Sequence, residues 1–138
     1  MRYSLRMRRP VTTRLPCLAL AALCAAAAAR AQDVLPPSAE RGAELWDKCK
    51  ACHTIEKGGR NIVGPNLHGV FGRRAGALPN YNYSPAMRKA GLVWNDETLD
   101  RFLAATVDYI PGTKMYGGLA IKQDRLDLIA WLKAASRP

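Results

Sequence analysis

The chain has 138 residues and a formal net charge of +10 at pH 7, a length that allows one ordinary domain. The first 31 residues carry six arginines and no acidic residue, so residues 32–138 keep 15 lysines and arginines against 11 acidic residues, a net charge of +4. So small a charge does not support a nucleic-acid-binding surface, and we expect no nucleic-acid partner.

Residues 1–31 have the pattern of a cleaved secretory signal peptide. Basic residues precede an apolar run over residues 15–29, and Ala29-Arg30-Ala31 supplies a small-x-small cleavage site. The run is shorter than the roughly 20 residues of a membrane-spanning helix, although an uncleaved anchor stays as the alternative. We therefore expect export to a bacterial periplasm, no stable membrane insertion, and a single mature domain over residues 32–138.

The mature segment predicts helices joined by long loops. Ser38 is a suitable N-cap for the first helix, and Ser84-Pro85 begins a short one. The residues between the helices are rich in Gly, Asn and Pro, and no strand alternation or internal repeat occurs. We predict an all-α domain of about four to five helices, with helical patterns over residues 39–46, 84–91, 95–107 and 122–134.

The sequence Cys49-Lys50-Ala51-Cys52-His53 indicates covalent attachment of one haem c. On one helical turn the two thiols can reach the two vinyl groups of a porphyrin, with His53 below the iron. A zinc site, a thioredoxin-like redox pair and a Cys49–Cys52 disulfide are the alternatives. Zinc needs four ligands and the only other histidine is His68, while a redox pair needs a βαβ context, so haem c is favoured.

Met115 is the candidate for the second iron ligand. It follows a proline and a glycine in the loop of residues 110–115, whereas Met87 lies in a short predicted helix and is expected to pack in the core. An open site, Met87 or a lysine are the alternatives. A thioether opposite histidine favours ferrous iron and suits an electron carrier.

These motifs together resemble class I cytochrome c, especially its mitochondrial and bacterial cytochrome c₂ branch. The resemblance covers nearly all of residues 32–138 and implies a small all-α fold wrapped around one covalent haem. It is carried by Cys49-Lys50-Ala51-Cys52-His53, Gly64-Pro65-Asn66-Leu67-His68-Gly69, Phe71-Gly72-Arg73, Trp94, Tyr109-Ile110-Pro111-Gly112-Thr113-Lys114-Met115 and Leu128-Ile129-Ala130-Trp131-Leu132.

The resemblance also implies roles for individual residues around the haem. The carbonyl of Pro65 should accept a hydrogen bond from His53, and Thr113 should border the Met115 side. The first helix should cross the last, and His68 should fix a loop by hydrogen bonding. The residues expected to bind a haem propionate are Arg73, Tyr83 and Trp94; those expected at the helix crossing are Gly42, Trp46, Leu128 and Trp131.

The chain departs from the family near Met115. Phe102 replaces a tyrosine whose hydroxyl contacts the methionine sulfur, and Met87 replaces an asparagine of the internal water network. Tyr116-Gly117-Gly118 lacks an aromatic residue at its second position and is one residue shorter. We expect a drier Met115 side, with Tyr116 covering the haem edge instead.

The predicted function is that of an exported soluble one-electron carrier, not an enzyme. Its haem c, ligated by His53 and Met115, would shuttle electrons between respiratory, photosynthetic or dehydrogenase partners. We expect a monomer that meets acidic docking surfaces of an oxidase, reductase or dehydrogenase. The alternatives are a peroxidase-like enzyme and a dedicated subunit of an exported dehydrogenase; the candidate docking residues are Lys50, Lys57, Arg73, Arg74, Lys114 and Lys122.

Overall fold

The computed structural model describes residues 34–137, so the predicted signal peptide lies outside the described residues. These residues form five α-helices, as the all-α prediction required, and none of them is long and apolar enough to cross a membrane. The helices are α1 (Ala39–Leu45, continued by a 3₁₀ turn Trp46–Lys48), α2 (Pro85–Lys89), α3 (Asp96–Ala104), α4 (Thr106–Tyr109) and α5 (Lys122–Ala135).

Side-chain caps begin three of these helices. The hydroxyl of Ser38 accepts from the N–H of Arg41 at the start of α1, and Ser84 caps α2 in the same way. Asn95 and Thr98 form a reciprocal capping box at α3. The predicted starts of α1, α2 and α3 are therefore confirmed, each with one of its orphan N–H groups satisfied by the cap side chain.

The predicted helix over residues 95–107 is wrong in its length, because α3 ends at Ala104. Ala105 is extended, with φ −157° and ψ 77°, and α4 starts afresh at Thr106. The carbonyl of Leu103 accepts a 2.8 Å hydrogen bond from the N–H of Leu119, which replaces the bond that a continued helix would give it. A tertiary contact therefore ends the helix without a glycine or proline.

Helices α1 and α5 cross closely, as expected. A Cβ added to Gly42 would overlap the Asp127 carbonyl and lie 2.7 Å from the Trp131 Cβ, while the Trp46 and Trp131 rings stack with centroids 5.0 Å apart. Arg41 also donates from Nε to buried Asp127 at 2.7 Å. The two helices, far apart in sequence, form one side of the domain.

The core lies between α5, α3 and the loops. Leu128, Ile129 and Leu132 of α5 are at most 4% exposed. The other buried apolar residues are Val70, Ala75, Met87, Trp94, Leu99, Phe102, Leu103, Ile110 and Leu119. Long loops thus supply part of the core, and they carry most of the residues discussed next.

Candidate haem site

Cys49, Cys52 and His53 share one helical turn directly after α1. The N–H groups of Cys52 and His53 both donate to the carbonyl of Cys49 at 3.0 Å, and both thiols are free. Cys49 is half-buried and Cys52 is exposed. Two free thiols on one turn are the arrangement that two thioether bonds to one porphyrin require.

His53 is held in one orientation. Its Nδ1–H donates to the carbonyl of Pro65 at 2.8 Å, the contact that the resemblance implied, and a Cβ added to Gly64 would lie 2.7 Å from that nitrogen. Burial lowers the pKa of His53, and the Pro65 hydrogen bond opposes part of this shift. Within residues 34–137 the Nε2 atom makes no hydrogen bond, so a neutral imidazole keeps a lone pair for a metal.

The two methionines of the described segment lie in different environments. Met87 is 7% exposed and belongs to the core, as predicted for packing material. Met115 is half-buried at the border of that core. Its N–H donates to the Thr113 hydroxyl at 3.3 Å, and Thr113 is itself only 3% exposed. Of the two methionines, Met115 is the more exposed one.

The structure brings Arg73, Tyr83 and Trp94 together. The backbone around Arg73 pairs with that of Trp94, whose N–H donates to the Arg73 carbonyl at 3.0 Å. Burial raises the pKa of the Tyr83 hydroxyl, and the nearby Arg73 guanidinium opposes that shift. Trp94 is 8% exposed and packs its ring 5.2 Å from that of Phe102.

The guanidinium of Arg73 has no carboxylate partner in the described part of the chain. It donates to the carbonyls of Asn66 and His68 at 3.0 and 3.2 Å, and burial lowers its pKa. A half-buried cation held by carbonyls favours a bound anion. A haem propionate fits this requirement, so the residues present fit a haem c.

Asn66 is a residue that the sequence reasoning named only as part of a motif. Although it is 7% exposed, its amide donates to the Thr54 hydroxyl at 2.7 Å and to the Glu56 carbonyl, and its Oδ1 accepts from the His68 N–H. Its own N–H donates to Asn61 at 2.8 Å. Asn66 therefore folds the loop that presents Pro65, and the contribution of His68 comes from its backbone.

The candidate docking residues differ in whether their side chains already have a partner within residues 34–137. Lys50 is paired with Asp47 at 2.7 Å, and Arg73 is turned inward as described above. Exposed Lys57, Arg74 and Lys122 have no ion pair within residues 34–137, and Lys114 donates to the Asn82 carbonyl. Residues 57–95 hold six lysines and arginines and no acidic residue, so the positive charge is concentrated in the segment around this site.

Tyr116 is 80% exposed, so its ring is not packed against the described protein. The remaining features agree with one another: two free thiols, an oriented neutral imidazole, a half-buried methionine and a half-buried arginine. Fold and site together define a small c-type haem protein.

Comparisons with known proteins identify the family. The cytochrome c family model matches residues 39–136, and the chain belongs to the cytochrome c family. Cytochrome c of Gibberella zeae is 47% identical over 100 residues, covering 71% of this chain and 94% of that protein. Cytochrome c of Theileria parva is 50% identical over 108 residues (75% and 93%), and that of Arabidopsis thaliana 43% over 105 residues (75% and 94%).

Family membership confirms three predictions. The chain is a haem-containing electron carrier and not an enzyme, its fold is the all-α cytochrome c fold, and the family binds one covalent haem c, for which Cys49 and Cys52 are present. The predicted bacterial periplasmic location is wrong. The relatives come from a fungus, a protozoan parasite and a plant, eukaryotes whose cells have no periplasm.

Proposed function

We propose that the chain transfers single electrons between two protein partners, with His53 and Met115 as the residues that would ligate the haem iron. The observation that carries this proposal is the orientation of His53: its Nδ1–H is taken by Pro65, and Nε2 is left for the iron. When bound, the haem supplies an iron that alternates between ferric and ferrous states.

The protein's own residues set the conditions for this chemistry. Cys49 and Cys52 hold the macrocycle, and the Pro65 hydrogen bond keeps the imidazole in one tautomer and orientation. Burial keeps His53 neutral, so its lone pair is not lost to a proton. The guanidinium of Arg73 neutralises a propionate that would otherwise be buried as an unpaired charge.

The core that Met115 borders contains Phe102 and Met87, the two residues that replace the family's tyrosine and asparagine. Phe102 and Met87 are 5% and 7% exposed, and neither carries a donor for a thioether. The buried Thr113 hydroxyl oxygen accepts from the Met115 N–H at 3.3 Å and keeps its own O–H to donate. A dry, apolar surrounding disfavours the more highly charged ferric state and works with the thioether to raise the reduction potential.

Ligation is tested by the weak far-red absorption band that reports sulfur coordination to ferric haem. We expect the band in the ferric holoprotein, its loss in Met115→Ala, and its retention in Met87→Leu, which removes a sulfur from the core only. The reduction potential should fall in Met115→Ala because the thioether favours ferrous iron. A band that survives Met115→Ala contradicts the proposal.

The positive segment of residues 57–95 and Lys114 support an acidic partner that docks weakly and turns over fast, with the carrier acting as a monomer. Reduction by an acidic flavodoxin should slow with salt, whereas reduction by a neutral flavin semiquinone should not. Lys114→Gln should flatten the salt dependence. The matched control is Lys133→Gln, because Lys133 is already paired with Asp96 at 2.8 Å. Equal effects of the two variants would contradict the docking role.

A further inference from the structure

The loop that carries Met115 connects α4 to α5 and is held mainly at its two ends. At the first end the N–H of Thr113 donates to the Ile110 carbonyl at 3.0 Å, and Ile110 is 4% exposed. Within residues 34–137, no hydrogen bond of residues 116–118 holds the middle of the loop. On the C-terminal side of Met115, hydrogen bonds of the described residues therefore fix the loop only after Gly118.

The second end of the loop is docked on α3. The N–H of Leu119 donates to the Leu103 carbonyl at 2.8 Å, and the Leu119 side chain is 8% exposed. A Cβ added to Gly118 would overlap the same Leu103 carbonyl, so the loop backbone lies directly on the last turn of α3.

One side chain joins this docked segment to both neighbouring helices. Arg125 of α5 donates from Nη1 to the carbonyls of Leu119 and Ala120 at 2.9 and 2.8 Å, and from Nε to Asp100 of α3 at 2.7 Å. The Arg125 side chain is 9% exposed and that of Asp100 27%. Removal of the guanidinium would leave two carbonyls and a carboxylate without this donor, and such groups are costly to leave unpaired.

We propose that Arg125 is a positioning residue for Met115: it sets the free energy with which the loop after Met115 opens away from α3. The proposal rests on the proposed ligation of iron by Met115. Arg125 acts through the loop backbone, since it donates to the backbone carbonyls of Leu119 and Ala120. Loss of the Arg125 hydrogen bonds should favour local opening of the loop, in which the Met115 thioether leaves its position while the rest of the fold persists.

The chain contains a matched control for this role. Arg41 pairs with buried Asp127 through Nε at 2.7 Å, the same atom type and distance as the Arg125–Asp100 pair. Both pairs anchor α5, but Arg41 ties it to α1 and has no hydrogen bond to the loop of residues 110–121. Loss of Arg41 should lower global stability and leave the Met115 loop closed.

The test is a titration of ferric holoprotein with imidazole, which binds iron only after the methionine has left. Loss of the far-red band measures the apparent affinity. We expect Arg125→Leu to bind imidazole at least about tenfold more tightly than the unmodified protein, and Arg41→Leu to stay within about twofold. Guanidinium unfolding of both variants measures how much free energy of unfolding each has lost. The changes in imidazole affinity are then compared with these losses.

Asp100→Asn serves as a second variant, and the one to use if Arg125→Leu does not yield holoprotein. It keeps the acceptor shape, weakens the charge pair, and should tighten imidazole binding by a smaller factor in the same direction. The Leu119 amide, which is bonded to the Leu103 carbonyl, should also exchange its hydrogen faster in this variant than in the unmodified protein. The increase should be larger than at the Leu132 amide of α5.

The outcomes separate the two proposals. If Met115→Ala loses the far-red band but the Arg125 and Asp100 variants tighten imidazole binding no more than Arg41→Leu does, Arg125 has only a structural role and the inference is overturned. If Met115→Ala keeps the band, the axial assignment itself fails, and the positioning role of Arg125 fails with it.

Discussion

Gly42→Ala tests the crossing of α1 and α5, because two effects of opposite sign compete there. An alanine inside a helix is favoured over glycine by about 0.8–1 kcal/mol. The new Cβ, however, would overlap the Asp127 carbonyl and lie 2.7 Å from the Trp131 Cβ, and neither atom is the end of a flexible side chain. Overpacking of this kind costs about 1–3 kcal/mol, and separation of the Trp46–Trp131 pair adds up to about 1.5 kcal/mol. At the middle of these ranges the steric terms exceed the helix-propensity gain, and we expect a net loss of about 2 kcal/mol.

The assay is guanidinium unfolding of the holoprotein, followed by tryptophan fluorescence, together with a thermal melt. For a domain of this length, each kcal/mol lost from the free energy of unfolding lowers Tm by about 4–8 °C. Gly117→Ala is the control, since nothing lies within 4 Å of a Cβ added there and its φ is not positive. Gly117→Ala should change stability by less than about 0.5 kcal/mol. If Gly42→Ala proves neutral or stabilising, as helix propensity alone predicts, the close crossing of α1 and α5 is refuted.

Two further predictions follow from the site and from the α1–α5 ion pair. Gly64→Ala places a methyl carbon 2.7 Å from His53 Nδ1, so we expect a displaced imidazole, a lower yield of holoprotein and a shifted reduction potential; an unchanged potential and yield would contradict this. The hydrogen bond from Arg41 holds the pKa of Asp127 in the folded protein below its usual value. The ionised Asp127 carboxylate therefore contributes its full stability above the pKa of about 3.9 that it has in the unfolded chain. This contribution is lost as the pH falls through the lower pKa of the folded protein. The difference in unfolding free energy between the unmodified protein and Asp127→Asn should therefore be constant near neutral pH and shrink below about pH 4; a difference that grows on acidification would contradict it.

Sequence reasoning worked where local chemistry decides the structure. Ser38, Ser84 and Asn95 begin helices because their side chains accept hydrogen bonds from the N–H groups of the first turn, and that capability is visible in the residue itself. The Cys49–His53 motif is equally local, since its residues share one helical turn. Such features need no knowledge of distant parts of the chain.

Sequence reasoning was incomplete where distant residues decide. The end of α3 depends on a hydrogen bond from Leu119, which no helix-stop signal near Ala105 announces. The burial of Arg125 depends on two loop carbonyls and a carboxylate from α3, so the sequence alone shows only another basic residue. The organising role of Asn66 was missed for the same reason. The predicted bacterial periplasmic location is wrong because the pattern of residues 1–31 does not identify the kind of organism in which the protein is made.

The crossing of α1 and α5 also bears on the order of events during synthesis. Arg41 and Asp127 are 86 positions apart, so α1 leaves the ribosome long before its packing partner exists. Gly42 and Trp46 have no α5 surface to pack on until those positions have been synthesised, so the α1–α5 crossing is a contact of high sequence separation that forms late. The turn that carries Cys49 and Cys52 is closed by hydrogen bonds to the carbonyls of Trp46 and Cys49, so it needs only local contacts and can form before α5 exists.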